Sequence, residues 1–261
     1  MRALGSESAN WLARCICELI GTFFVVFAVC CSLVSNEFGF LISSGAAYIA
    51  MLYALGPISG GHFNPAVTVA VSVREIWIAS EASSLRERLI GTLLYLPAQL
   101  LGGSAAGTTA VLIHQDNPNF HPIGRYHWRT AAASEAIFTA ALCYVVLNVT
   151  AVANRKVQAP AASGLACGFL VISAALSIGG VSGCALNPAV PFGAAVANIV
   201  TSGGGRAFDH ALVYFAAPFV GSLGGLFLHL MVYPRQTGET TAFAGQRPRG
   251  YDGCDAAPLT A

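Results

Sequence analysis

Nearly uninterrupted apolar residues fill six stretches of the chain, at about 11–34, 38–57, 89–113, 131–153, 159–179 and 210–233. Each approaches or exceeds the ~20 residues that a helix needs to cross a bilayer. Two further apolar runs, about 64–74 and 187–197, are too brief to cross and read as half-length helices. Both follow the same polar punctuation: Ile58 to Val73 reads ISGGHFNPAVTVAVSV, and Val181 to Val196 reads VSGCALNPAVPFGAAV. Asparagine is a good helix N-cap, and proline is tolerated in a first turn whose N–H has no helical partner. Each copy therefore predicts a loop that turns into a short helix at Asn64 or Asn187. The pattern as a whole predicts an all-α membrane fold of six transmembrane helices and two half-helices.

The short helices occupy matching places in two halves, 11–113 and 131–233, and the likeness of the halves extends further. Glu18-Leu-Ile-Gly-Thr22 opens the first; Glu135-Ala-Ile-Phe-Thr139 opens the second with the same Glu-x-x-x-Thr spacing. A carboxylate inside an apolar helix is costly and needs partners. Loops that enter a membrane leave backbone N–H groups unpaired, so Glu18 and Glu135 are expected to accept from those donors. Three crossings separate corresponding points, which inverts one half relative to the other. Broken helices in corresponding positions of two halves point to a permeation or binding site at mid-membrane.

Charge sets the orientation. With the amino end in the cytoplasm, ten of the thirteen Lys and Arg residues fall inside, and Arg125, Arg129 and Arg206 fall outside. That bias predicts an integral membrane protein with both termini cytoplasmic. Residues 1–10 then form a short cytoplasmic segment, and 234–261, without apolar periodicity, a disordered cytoplasmic tail. His114 to Arg129 form a polar loop between the halves. Composition agrees, with 55% hydrophobic and 10% charged residues against ~25% charged in soluble domains. A formal charge of +1 offers no basic stripe for nucleic acid. Of the eight cysteines, Cys15, Cys17, Cys30, Cys31, Cys143 and Cys167 lie in apolar segments and read as buried thiols rather than a disulfide framework. No Cys/His set has zinc spacing and no nucleophile–base pair marks a cleft, so no metal, cofactor or enzymatic activity is expected.

SGGHFNPAVT at 59–68 and SGCALNPAV at 182–190 resemble the paired hallmark loops of the aquaporin, or major intrinsic protein, family. Glu18, Glu135, Gln99 and Pro218 resemble its helix landmarks. The resemblance spans about 11–233 and implies a homotetramer in which each protomer has its own pore for water and small neutral solutes. It implies a pore signature at Asn64, Pro65, Ala66, Asn187, Pro188 and Ala189, with Glu18, Glu135, His62 and Gln99 in support. A second filter then falls on Ser44, Ala175, Cys184 and Val190. Here the chain departs from the family, in which an aromatic residue, a His and an Arg usually occupy that filter. Val190 stands where the Arg is common, which removes a planar cation with five donors. The opening is therefore expected to be wider and less polar, passing glycerol, urea or ammonia besides water. Pro191, Ala195, Tyr214 and Phe215 are closer to the water-channel branch than to the glycerol branch. Val190 also resembles tonoplast intrinsic proteins, which suggests a vacuolar or other internal membrane.

Several residues carry a plainer reading beside the functional one. His62 can titrate near neutrality, but packing under the half-helix is the simpler role. Cys184, three residues before Asn187, is expected on the pore wall within reach of mercurials. Gly21, Gly91, Gly102, Gly103, Gly221, Gly224 and Gly225 are expected at close helix crossings. Two other functions share parts of this pattern: a secondary transporter of a small neutral solute, which needs coupling groups at its site, and a poorly conducting junctional membrane protein.

Overall fold

The computed structural model describes residues 2–35, 42–78, 82–153, 160–202 and 211–233. Within them the apolar stretches form α1 (Arg2–Ser35), α2 (Ser43–Ser59), α3 (Pro65–Ile78), α4 (Ala82–His114), α5 (Trp128–Ala153), α6 (Pro160–Ser182), α7 (Ala189–Ser202) and α8 (Ala211–Val232). α1, α4, α5, α6 and α8 contain segments long and apolar enough to cross a membrane. α2 has 17 residues, the short end of the ~17–25 that span a bilayer. α3 and α7 have 14 residues each, about 21 Å at 1.5 Å per residue, and fall short of the ~30 Å hydrocarbon core. The expected tail, 234–261, and Arg155, Lys156, Arg206, Arg235, Arg247 and Arg249 of the orientation argument lie outside the described residues. α1 begins at Arg2, so the expected amino-terminal segment continues the first helix.

The packing repeats as the sequence does. α1 runs along α4, and its counterpart α5 runs along α8; α2 meets α6 across the halves, α7 lies against α4, and α3 against α8. Helices associate in lipid by close packing rather than by a hydrophobic driving force, and small residues make these crossings. A Cβ on Gly103 of α4 would sit 2.5 Å from the Ala189 carbonyl oxygen of α7, closer than any side chain allows. Gly102, Gly221 and Gly225 likewise face the backbone of a crossing helix, Gly21 and Gly91 lie under the Phe63 and Trp11 rings, and a Cβ on Gly224 would only touch Ala140 at 3.6 Å. Leu93, Leu101, Ile137 and Val220 stand exposed on the outside, as a lipid-facing surface requires. Glu18 and Glu135 are buried completely.

Both re-entrant loops begin alike. α2 ends at Gly60, with φ 93° and its N–H on the Gly56 carbonyl. α6 ends at Gly183, with φ 86° and its N–H on the Gly179 carbonyl. The left-handed conformation closes a helix at least cost when the residue is glycine. The chain then turns back into the protein and reaches Asn64 or Asn187 within four residues.

Candidate functional site

Asn64 Oδ1 accepts the Ala66 N–H at 2.9 Å, and Asn187 Oδ1 accepts the Ala189 N–H at 2.9 Å. These are N-cap bonds at the starts of α3 and α7, with Pro65 and Pro188 next in line. Each amide nitrogen crosses to the other loop: Asn64 Nδ2 donates to the Leu186 carbonyl at 3.0 Å, and Asn187 Nδ2 to the Phe63 carbonyl at 2.9 Å. The two half-helices thus meet tip to tip, tied by a reciprocal pair of bonds. An amide NH2 has two hydrogens, and among the described residues each Asn spends one.

Phe63 and Leu186, which present those carbonyls, are left-handed at φ 48° and 50°. A non-glycine residue pays ~1–2 kcal/mol for this, so something must hold it. The holders are the carboxylates. Glu18 accepts Ser59 Oγ at 2.7 Å and His62 N–H at 3.0 Å on Oε1, and Phe63 N–H at 2.7 Å and Gln99 Nε2 at 2.7 Å on Oε2. Glu135 accepts Ser182 Oγ at 2.6 Å and Ala185 N–H at 2.9 Å on Oε1, and Leu186 N–H at 2.7 Å on Oε2. Charge-assisted bonds of this kind are about twice as strong as neutral ones. The match is incomplete: the residue four after Tyr95 is Gln99, whereas the residue four after its counterpart Tyr214 is Pro218. Gln99 also donates to Thr68 Oγ1 at 2.8 Å, and Thr68 Oγ1 lies 3.2 Å from His62 Nδ1.

A cavity of about 650 Å3 opens beside the loop joining α4 and α5, with Asp116 and His121 on its wall. It narrows to a space of about 20 Å3 bounded by Asn64, Asn187, Val25, Leu142 and Val171. Ser44 and Cys184 belong to both spaces, Ala175 to the outer one and Val190 to the narrow one. The four residues expected to act together therefore gather where wide becomes narrow. Pro65, Ala66, Pro188 and Ala189 are buried and belong to the lining of neither space. Cys184 is left-handed as well, at φ 56°, in the place that Gly61 fills in the first loop at φ 69°.

Three groups were missed from the sequence. Tyr48, one turn after Ser44 on the same face of α2, lines the narrow space and donates to the His62 carbonyl at 3.3 Å. Ser59 and Ser182, both five residues before an Asn, supply the hydroxyls on the carboxylates. Phe120, in a loop that reads as polar, is buried against Tyr214. The i,i+4 spacing from Ser44 was the available signal for Tyr48, and the repeated Ser-Gly was the signal for the serines.

An all-helical bundle with two opposed half-helices, tied at paired Asn-Pro-Ala turns, defines a class of membrane proteins. Residues 5–229 match the family Major intrinsic protein, and the chain belongs to that family. It is 33% identical over 237 residues to Nodulin-26 of Glycine max, covering 86% of this chain and 79% of that one. It is 34% identical over 221 residues to Glycerol uptake facilitator protein-like 6 of Lactiplantibacillus plantarum, covering 83% and 96%. The fold is similar to the aquaglyceroporin from Plasmodium falciparum, with TM-score 0.71 and 20% identity over 86% of this chain and 98% of that one. The tonoplast likeness drawn from Val190 needs correction: over 85–86% of the chain the plant similarity runs to Nodulin-26 and NIP-type aquaporins. One filter position is a poor guide to the rest of the chain.

Proposed function

We propose that the chain is a passive channel for water and small neutral solutes such as glycerol, urea and ammonia, excluding ions and protons. One observation carries the reading: two neutral amides, each with an uncommitted N–H, stand at a space of about 20 Å3 below a cavity of about 650 Å3. A water needs ~10–15 Å3 of such volume, and its share of the liquid is ~30 Å3, so molecules pass here in single file. The opposed half-helices direct positive dipole ends at this point, which repels a cation stripped of its hydration shell. A water held by both amides cannot readily relay a proton.

Val190 leaves the filter of Ser44, Ala175, Cys184 and Val190 without fixed charge, which supports a range wider than water. The similarity to a protein named for glycerol uptake supports the same range. The reading includes a homotetramer with one pore per protomer and both termini cytoplasmic, in the plasma membrane or an internal one. Stopped-flow light scattering on proteoliposomes, run in parallel with water, glycerol, urea and ammonia, tests the solute range. Water flux without solute uptake sinks the wide-filter reading. Val190→Arg should suppress glycerol and urea before water; an unchanged ranking would remove Val190 from the filter.

A further inference from the structure

A second cavity, of about 310 Å3, lies between α1, α3, α4 and the loop 59–62. α5 and α6 border the narrow space at the asparagines but supply none of this chamber's described lining, and α2 supplies only its last residue, Ser59. Its size is at the lower end of small-molecule sites, ~300–1,000 Å3. Its wall is polar, with Arg14, His62, Thr68, Ser72, Glu75 and Arg88 all facing it.

The internal repeat supplies the comparison. Aligned on the two glutamates, Arg14 corresponds to Ala131; aligned on the two asparagines, His62, Thr68, Ser72 and Glu75 correspond to Ala185, Pro191, Ala195 and Asn198. In the second half the equivalent space is closed. Phe120 stands against Tyr214 with ring centroids 5.7 Å apart, in one buried cluster with Ala131 and Ala185. Tyr95, the counterpart of Tyr214, instead borders the chamber. The corresponding helices thus enclose a buried aromatic cluster in one half and a polar chamber in the other. Ser59, Thr68, Ser72 and Thr92 spend hydrogen bonds on one another or on neighbouring side chains, which leaves the charged groups and His62 to meet whatever enters.

Proton bookkeeping shows what an entering group meets. Gln99 Nε2 donates to Thr68 Oγ1, and the threonine hydrogen has one acceptor within reach among the described residues, His62 Nδ1 at 3.2 Å. Assigning the ring proton to Nε2 satisfies that hydroxyl; Nε2 lies beside Gly60 on the chamber wall and has no partner among the described residues. The Arg14 guanidinium rests 4.7 Å over the Trp11 ring, and among the described residues its hydrogen bonding is through Nε, at 3.4 Å from the Ile58 carbonyl. Arg88 donates to the Glu75 carbonyl, while the Glu75 carboxylate accepts no hydrogen bond among the described residues. The chamber therefore offers two guanidinium groups, one imidazole N–H and one carboxylate.

We propose that this chamber binds a phosphate group that retains a P–OH. Its anionic oxygens accept from Arg14, Arg88 and His62 Nε2, which suits the fork geometry of guanidinium, and its P–OH donates to Glu75. Sulfate has no proton to give and meets the Glu75 charge directly. Inorganic phosphate and the headgroup of phosphatidic acid share this chemistry.

The test is isothermal titration of the full chain in neutral-lipid nanodiscs at about pH 6.5, near the second phosphate ionisation. Saturable binding of inorganic phosphate is expected, with sulfate at least ~10-fold weaker, the equivalent of one lost charge-assisted bond. Arg14→Gln and Arg88→Gln should each weaken phosphate by about tenfold, with partial recovery in Arg88→Lys. Glu75→Gln should admit sulfate, because its amide donates where the carboxylate repelled; a merely structural Glu75 would leave the preference unmoved. Loss of the phosphate heat in discs doped with phosphatidic acid, but not phosphatidylglycerol, assigns the site to a headgroup. Its persistence assigns the site to the free ion. No saturable phosphate binding, or binding indifferent to both arginine substitutions in variants that elute as the parent does, overturns the proposal. The titration reads binding without flux, so it stands or falls apart from the channel reading.

Discussion

Replacing Glu135 by Gln should uncouple permeability from stability. The carboxylate holds Ser182 Oγ, Ala185 N–H and Leu186 N–H. A glutamine in the same rotamer keeps one acceptor oxygen. With that oxygen on Ser182 and Ala185, its NH2 confronts the Leu186 N–H, and an orphaned buried donor costs ~1–3 kcal/mol. Leu186 is left-handed at φ 50°, and the ~1–2 kcal/mol of strain there is no longer held. The tied loop thus loses ~2–5 kcal/mol against a relaxed one, a factor of ~30 or more. As Leu186 relaxes, its carbonyl withdraws from Asn64 Nδ2. The fold as a whole loses less, because the desolvation cost of a buried carboxylate disappears at the same time. Glu18→Gln is the matched control and should be milder. Gln99 Oε1 has no partner among the described residues, so a flip of that amide brings an acceptor to the new NH2, whereas Pro218 offers nothing comparable in the other half. Stopped-flow water permeability per molecule should fall at least ~10-fold in Glu135→Gln, and less in Glu18→Gln. Parental permeability in Glu135→Gln, or greater damage in Glu18→Gln, would refute the reasoning.

Gly103→Ala should lower thermal stability in detergent by about 1–3 kcal/mol through overpacking against Ala189, while Gly224→Ala, with room at 3.6 Å, should be near neutral; equal effects would contradict the α4–α7 contact. Mercurials should block flux through Cys184, which lines the outer cavity, and Cys184→Ser should be resistant; equal inhibition of the two would acquit that thiol. Tyr48→Leu removes a ring from the narrow space and its hydroxyl bond to the His62 carbonyl. It should raise glycerol uptake relative to water, and an unchanged ratio would place Tyr48 off the path.

The starts of α3 and α7 are legible because an N-cap asparagine followed by proline is a local signal. Their ends are less so: the apolar run falters at Arg74 and Asn198, yet the helices continue to Ile78 and Ser202. Glu18 and Glu135 announce themselves as buried charges in need of donors, but the donors are set by tertiary placement. Nothing in the side chains of Phe63, Leu186 or Cys184 announces a left-handed backbone. That conformation is imposed at Phe63 and Leu186 by N–H bonds to a carboxylate 45 and 51 residues away. Phe120 is hidden for the opposite reason, since the polar residues around it mask one aromatic that plugs the bundle. Val190 is read correctly as an uncharged group at the narrowing, but a single position misdirects when it is used to choose a branch of the family.

The most direct measurement pairs osmotic shrinkage with an entrapped pH-sensitive dye in one proteoliposome preparation. Shrinkage well above that of empty vesicles, with a proton leak no greater than theirs, is the expected result for two amide-tipped half-helices meeting at a single-file space. Shrinkage no faster than in empty vesicles, or protons moving in step with water, would contradict it.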